Sequence, residues 1–301
     1  MPNWGVFRIV KRSTQVLTLC ALIATLLLSG CGREKAPKRP SLRCIYDQAA
    51  FSDLCRRAIA DEECFNTFKR DVFYSLLWEG YSYEEGKEFL STIENRYPFL
   101  LDKLDLFRAN DRVGSPRIFD YGSQGVFSPT TLHHVCIAGE LIEQFGDLSS
   151  RDIVQIGAGY GGLCAVIHHA TQWKSYTLID LPEHLDLARK VLENQGIEGV
   201  RYLTLQEIPK NAHWDLAISD CSFSEFTRPL QEMMIDQLLV HADQGYLACH
   251  VFPKHFGVIP LDPFQLKEYC EKKKITPVLK WEDPQGLRSQ YFLVWNQNFT
   301  G

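Results

Sequence analysis

Ile153-Val-Gln-Ile-Gly-Ala-Gly-Tyr-Gly-Gly162 decides how this 301-residue chain is read. The apolar run 153–156 predicts a buried strand, and the glycines behind it predict a turn whose backbone reaches conformations closed to other residues. A helix is expected directly after, near 163–170. A strand that turns through glycines into a helix lets the backbone come close to a nucleotide-like ligand and points helix N-terminal amides at it. Twenty-three residues past Gly157, Asp180 ends the next predicted strand, in Tyr176-Thr-Leu-Ile-Asp180-Leu-Pro182. A carboxylate at that place can accept hydrogen bonds from both ribose hydroxyls of an adenosine.

Outward from this motif, short apolar runs alternate with helical ones, the pattern of a parallel sheet with crossover helices. Strands are expected at 153–156, 175–179, 201–204, 216–219 and 245–250, with helices near 183–195, 226–239 and 263–274. Two further strands, 278–281 and 290–295, are joined by the turn residues Asp283, Pro284, Gln285 and Gly286. Upstream, Ser128 offers an N-cap and Pro129 a first-turn position for a helix that ends near Phe145, with Gly146 as its stop. The stretch 114–128, rich in Gly, Ser and Pro, reads as a loop. From 45 to 113 the spacing is helical, with Phe65, Phe68, Val72, Phe73, Leu76 and Leu77 in one group and Phe89, Ile93, Tyr97 and Leu100 in another. Three or four helices are expected there, capping one side of the α/β domain at 114–301.

The glycines alone also satisfy the dinucleotide fingerprint of an NAD-type oxidoreductase, through Gly157, Gly159 and Gly162. The far end of the domain separates the two. A methyltransferase sheet closes with a reversed final strand, and the turn-linked pair ending in Tyr291-Phe-Leu-Val-Trp295 fits that hairpin. Four segments, Ser128-Pro-Thr-Thr131, Ile156-Gly-Ala-Gly-Tyr-Gly-Gly162, Tyr176-Thr-Leu-Ile-Asp-Leu-Pro182 and Ile218-Ser-Asp-Cys-Ser-Phe-Ser-Glu225, together resemble the sugar O-methyltransferase family of bacteria over about residues 114–301. The resemblance implies a Rossmann-like, seven-stranded class I methyltransferase sheet, S-adenosylmethionine as methyl donor, and a saccharide hydroxyl as acceptor, on a lipid-linked or a nucleotide sugar. It implies a cofactor site at Gln155, Gly157, Gly159, Tyr160, Gly161, Asp180 and Leu181. Two positions depart from the pattern: Gln155 stands where these enzymes usually have an acid, and Asp220 where Asn is expected. Gln155 can still hydrogen-bond the cofactor's methionine end or the loop backbone, without the charge that attracts an ammonium.

Acceptor chemistry belongs beyond the carboxyl ends of the fourth and fifth strands, where open α/β sheets hold their substrates. Asp220, Glu225, His250 and, more remotely, His255 are the candidate general bases there. Each has a structural alternative: Asp220 ordering the loop, Glu225 capping the helix near Phe226, His250 as a core histidine. Arg228, one helical turn beyond Glu225, suits an anionic sugar or a sugar phosphate, or else an ion pair with Glu225. Of His133 and His134, adjacent on a helix, at most one is expected to face the site. No His/Asp/Glu/Cys set has metal-ligand spacing, so no metal is expected.

The formal charge of −5 conceals an asymmetry. Residues 1–43 hold eight Lys/Arg against the single acid Glu34, leaving 24 basic and 36 acidic side chains in 44–301. An acidic body repels phosphate backbones, which excludes nucleic acid as the substrate. At the N-terminus, Arg8, Lys11 and Arg12 precede an uncharged run, 13–32, that contains Leu28-Ser-Gly-Cys31. This resembles a bacterial lipobox, with residues 1–31 as signal and Cys31 as the acylated residue of a membrane-anchored lipoprotein. The alternative is an uncleaved inner-membrane anchor with a cytoplasmic domain, since the run is also long enough to span a bilayer and positive charge follows it. Residues 32–44 form a basic tether. Among ten cysteines, Cys44, Cys55 and Cys64 have the proximity for one bridge, while Cys136, Cys164, Cys221, Cys249 and Cys270 read as buried free thiols. Three functions follow: a membrane-tethered sugar O-methyltransferase, an envelope lipoprotein that keeps the fold without cofactor as a binding module, and an NAD-type oxidoreductase. S-adenosylmethionine is made in the cytosol, so export favours the second and the retained glycines and Asp180 favour the first.

Overall fold

A computed structural model describes residues 48–251, 259–281 and 290–296. The signal with Cys31, the tether 32–44, Cys44, His255 and the 283–286 turn lie outside the described residues.

Seven strands form one sheet: β1 (Asp152–Ile156), β2 (Ser175–Ile179), β3 (Val200–Leu203), β4 (Trp214–Asp220), β5 (Ala242–His250), β6 (Val278–Trp281) and β7 (Gln290–Asn296). Their spatial order is β3-β2-β1-β4-β5-β7-β6. β1 to β5 pair in parallel, and β7 runs antiparallel to both its neighbours. This is a Rossmann-like, seven-stranded sheet, with the reversed last strand that the hairpin pattern predicts. The strand order reverses between β1 and β4, and that switch point is where an open α/β sheet leaves a crevice for a ligand.

Alternation along the strands sorts the core. Ile153, Leu178, Leu216, Ile218 and Tyr246 face one side with the helices Pro129–Phe145 and Gly162–Thr171. Val154, Ile156, Ile179, Ala217 and Leu247 face the other, with Arg228–Gln237 and Pro263–Lys272. Helix Pro129–Phe145 begins and ends where its signals place it: the Ser128 hydroxyl accepts from Thr131 N–H at 3.1 Å, Pro129 fills the first turn, and Gly146 takes φ of 79° at the C-cap. The helix expected from Phe226 starts later, at Arg228, because Ser222–Glu225 first makes a 3-10 turn.

The N-terminal region is more broken than its spacing predicts. The Asp61 carboxylate accepts from Cys64 N–H, and the Asp71 carboxylate from Phe73 and Tyr74 N–H. These caps divide the stretch into Glu62–Thr67, a 3-10 turn Phe68–Arg70, and Val72–Leu77, and they leave Val72 exposed rather than in the core. Phe51, Leu54, Phe65, Phe68 and Tyr74 are buried against Tyr160 of the glycine turn and Leu187 and Val191 of helix Pro182–Asn194. At roughly 1.5–3 kcal/mol for each large apolar side chain fully buried, that contact is a packed layer rather than a loose cap. None of the seven described cysteines is in a disulfide, Cys55 and Cys64 included. Cys136, Cys164, Cys249 and Cys270 are buried as expected, whereas Cys221 is half-buried at the site described next. Among the described residues no helix is long and apolar enough to cross a membrane.

Candidate active site at the switch point

The turn that follows β1 is built by its glycines. Gly157, Gly159 and Gly161 have φ of 83°, 53° and 86°, values that L side chains adopt only with strain. Gly161 is the N-cap of helix Gly162–Thr171. At Gly159 nothing lies within 4 Å of where a Cβ would stand, so a ligand has room against the bare backbone. Gln155 holds the turn from below: its Nε2 donates to Gly157 O at 2.7 Å and its Oε1 accepts from the Tyr176 hydroxyl at 2.7 Å. Of the two roles open to Gln155, it takes the one on the loop backbone.

Beyond β4 the chain turns sharply. Cys221 has φ of 63°, unusual for a residue with a side chain, and its N–H donates to Ala248 O at 2.9 Å on β5. The 3-10 turn Ser222–Glu225 then brings Glu225 back toward the glycine turn. Between the two turns lies a cavity that opens to solvent. Gln155, Gly157, Ala158, Gly159, Tyr160 and Gly162 line it from the glycine turn, and Asp220, Cys221, Ser222 and Glu225 from the turn after β4, with Ser222 close against Gly157. Trp78 and Tyr81 from the N-terminal region, and Thr130, His133 and His134 from helix Pro129–Phe145, complete it.

Both histidines reach the cavity, against the expectation of one. It wraps the start of their helix, and the two rings, 5.9 Å apart, line neighbouring parts of its surface. His133 Nε2 lies 2.9 Å from Asp220 Oδ2. Burial alone would raise the Asp220 carboxyl, but the charge of His133 and its hydrogen bond outweigh it and hold the group well below the usual carboxylate range. Burial and the charge of His133 push His134 down to about 3, so His134 is neutral at physiological pH. Asp220 is therefore an ionised hydrogen-bond acceptor on the cavity wall.

Other expected site residues lie elsewhere. Arg228 pairs with Glu232 at 2.8 Å on the exposed side of its helix, not with Glu225, and it does not line the cavity. Thr227, not Glu225, holds the N-cap position of that helix. The backbone N–H of His250 donates to the Ser224 hydroxyl, and its side chain is not part of the cavity wall. Tyr160 lines the cavity but turns its hydroxyl to Asn110 at 2.9 Å, with Lys69 Nζ 4.0 Å from its ring centroid.

Asp180 and Leu181 do not reach the cavity. Asp180 Oδ2 accepts from Ala158 N–H at 2.8 Å and Gly159 N–H at 3.3 Å, while Oδ1 accepts from Leu181 N–H at 2.7 Å and His184 Nδ1–H at 2.8 Å. Burial would raise this carboxyl too, and His184 with the backbone amides more than reverses it. Sequence reasoning missed His184, although its place four residues beyond Asp180 at a helix start is the spacing that makes such a pair. It also missed Trp78 and Tyr81, which no local pattern ties to a site 80 residues away in the chain.

No protein-family model matches the chain, and no curated protein does. Among solved structures, the ribosomal protein methylase of Lactobacillus delbrueckii subsp. bulgaricus is similar at 17% identity and a TM-score of 0.39, over 54% of this chain and 78% of that one. Magnesium protoporphyrin IX methyltransferase of Synechocystis, solved with S-adenosylmethionine bound, is similar at 13% identity and a TM-score of 0.45, over 70% of this chain and 97% of that one.

Proposed function

We propose that this protein is an S-adenosylmethionine-dependent O-methyltransferase acting on a saccharide hydroxyl, tethered to a membrane by its N-terminal segment. One observation carries the reading: a cavity of mixed polar and apolar lining at the switch point of the sheet, with the glycine turn and two carboxylates, Asp220 and Glu225, in its wall. The cofactor fits at the turn, where Gly159 leaves its backbone open and Gln155 fixes the loop. When bound, S-adenosylmethionine supplies an electrophilic sulfonium methyl group. Asp220, kept ionised by His133, accepts a hydrogen bond from the acceptor hydroxyl and orients its oxygen. Glu225, half-buried in the cavity wall, is the base that takes the hydroxyl proton, since the depressed pKa of Asp220 makes that carboxylate a poor proton acceptor. Trp78 and Tyr81 offer apolar ring faces beside polar groups, a combination that suits the alternating C–H and O–H surfaces of a sugar. Fixing the acceptor hydroxyl in one orientation can supply up to about 7–11 kcal/mol of barrier lowering.

The basic residues before 13–32 and the Leu28-Ser-Gly-Cys31 pattern support a membrane anchor. An anchor on the cytosolic face gives the enzyme access to its cofactor and to lipid-linked sugars. A second reading, a cofactor-free fold used as a binding module, is favoured by the complete occupation of Asp180. Calorimetry with S-adenosylhomocysteine separates the two. Saturable binding, lost in Gly159→Val, supports the enzyme, and no binding at millimolar ligand by the folded chain leaves the module.

A further inference from the structure

A carboxylate has about four acceptor sites, two on each oxygen. Asp180 spends four on its own chain: three backbone N–H groups and the His184 imidazole. Its side chain is only 15% exposed. A ribose whose two hydroxyls need this carboxylate finds no acceptor left.

Three of these donors belong to the backbone, and His184 is the one that can leave. Its ring is held from outside the sheet domain. With Nδ1 turned to Asp180, Nε2 of the same ring lies 3.2 Å from the Ser52 hydroxyl. Ser52 lies on helix Gln48–Ala60, whose Phe51 ring packs 4.4 Å from the imidazole, and Arg56 of that helix pairs with Glu183 at 3.1 Å. The N-terminal helix thus both buries His184 and aims it at Asp180.

We propose that His184 is the residue that sets nucleoside affinity, and that helix Gln48–Ala60, through Ser52 and Phe51, holds it in the place the ribose needs. The inference rests on the S-adenosylmethionine reading of the same site. Binding the adenosine half then requires His184 to swing off Asp180 and the helix to lift from Pro182–Asn194. A ribose hydroxyl takes the acceptor site that His184 leaves, and no covalent change occurs.

The experiment is calorimetric titration of S-adenosylhomocysteine into the full chain and into Ser52→Ala and His184→Ala, together with amide hydrogen exchange of residues 48–60. Releasing a hydrogen bond to a charged group corresponds to about a ten- to hundredfold change. His184→Ala is expected to tighten binding by that factor and Ser52→Ala by less. Exchange of helix Gln48–Ala60 is expected to rise when ligand saturates the wild-type chain. Ser52→Ala removes one hydroxyl and keeps the imidazole, so it tests the gate even if His184→Ala fails to fold. Equal affinities in all three proteins, with unchanged exchange, overturn the gate and leave the cofactor reading standing. Absence of binding in all three folded proteins overturns both.

Discussion

His133 Nε2 and Asp220 Oδ2, 2.9 Å apart, join the start of helix Pro129–Phe145 to the end of β4 across the back of the cavity. The pair is almost dry, with His133 4% and Asp220 16% exposed. Breaking such a pair strands a charge, which costs about 3–5 kcal/mol when both partners are buried. His133→Ala is therefore expected to lower stability by a few kcal/mol in urea unfolding. A loss under about 0.5 kcal/mol would mean that water replaces the imidazole without penalty.

The same pair fixes an acid limb. Asp220 has a folded pKa below its unfolded value of about 3.9. The stability it contributes is complete above that value and is lost as pH falls through the folded pKa. In His133→Ala the depressing partner is gone, so acid unfolding is expected to begin at higher pH than in wild type. Coincident acid limbs, followed by near-UV circular dichroism, would argue against the assignment.

Glu79 behaves oppositely. It is 6% exposed, and burial pushes its carboxyl up to about 7 against the pull of Lys69. A raised acid pKa means that the folded state holds the proton longer, so stability falls as pH rises from about 4.5 to 7. Glu79→Gln removes the titration. Melting curves at pH 5 and pH 8 are expected to differ by about 2–3 kcal/mol more in wild type than in the variant.

Glu225→Gln is expected to cut methyl transfer roughly 10²–10⁴-fold while S-adenosylhomocysteine binding stays unchanged, as for a base that contacts the acceptor only. Full activity in the variant would shift the proton's destination to Asp220.

Gly159→Val introduces a side chain where φ is 53° and into space that is open. The left-handed backbone costs about 1–2 kcal/mol, which the fold can absorb, but the new side chain stands where a ligand approaches the loop. Cofactor binding is expected to vanish with the melting temperature only modestly lowered. Retained binding would place the ligand on another part of the wall.

Strand and helix positions from Ser128 to Trp295 were readable because each carries its own local signal: short continuous apolar runs that bury both faces, a capping serine, prolines at first turns, glycines where φ is positive. Gln155, the glycine turn, Asp220 and Glu225 were readable for the same reason, as residues attached to strand ends. Arg228 and His250 misled because position along a helix or strand end does not say which way a side chain points once Glu232 is within reach or a wall is already filled. Tertiary structure alone decided the state of Asp180. Its fourth donor, His184, is aimed by Ser52, 132 positions away in the chain, and no local pattern encodes a contact whose two halves meet only after the N-terminal helix has buried its apolar face.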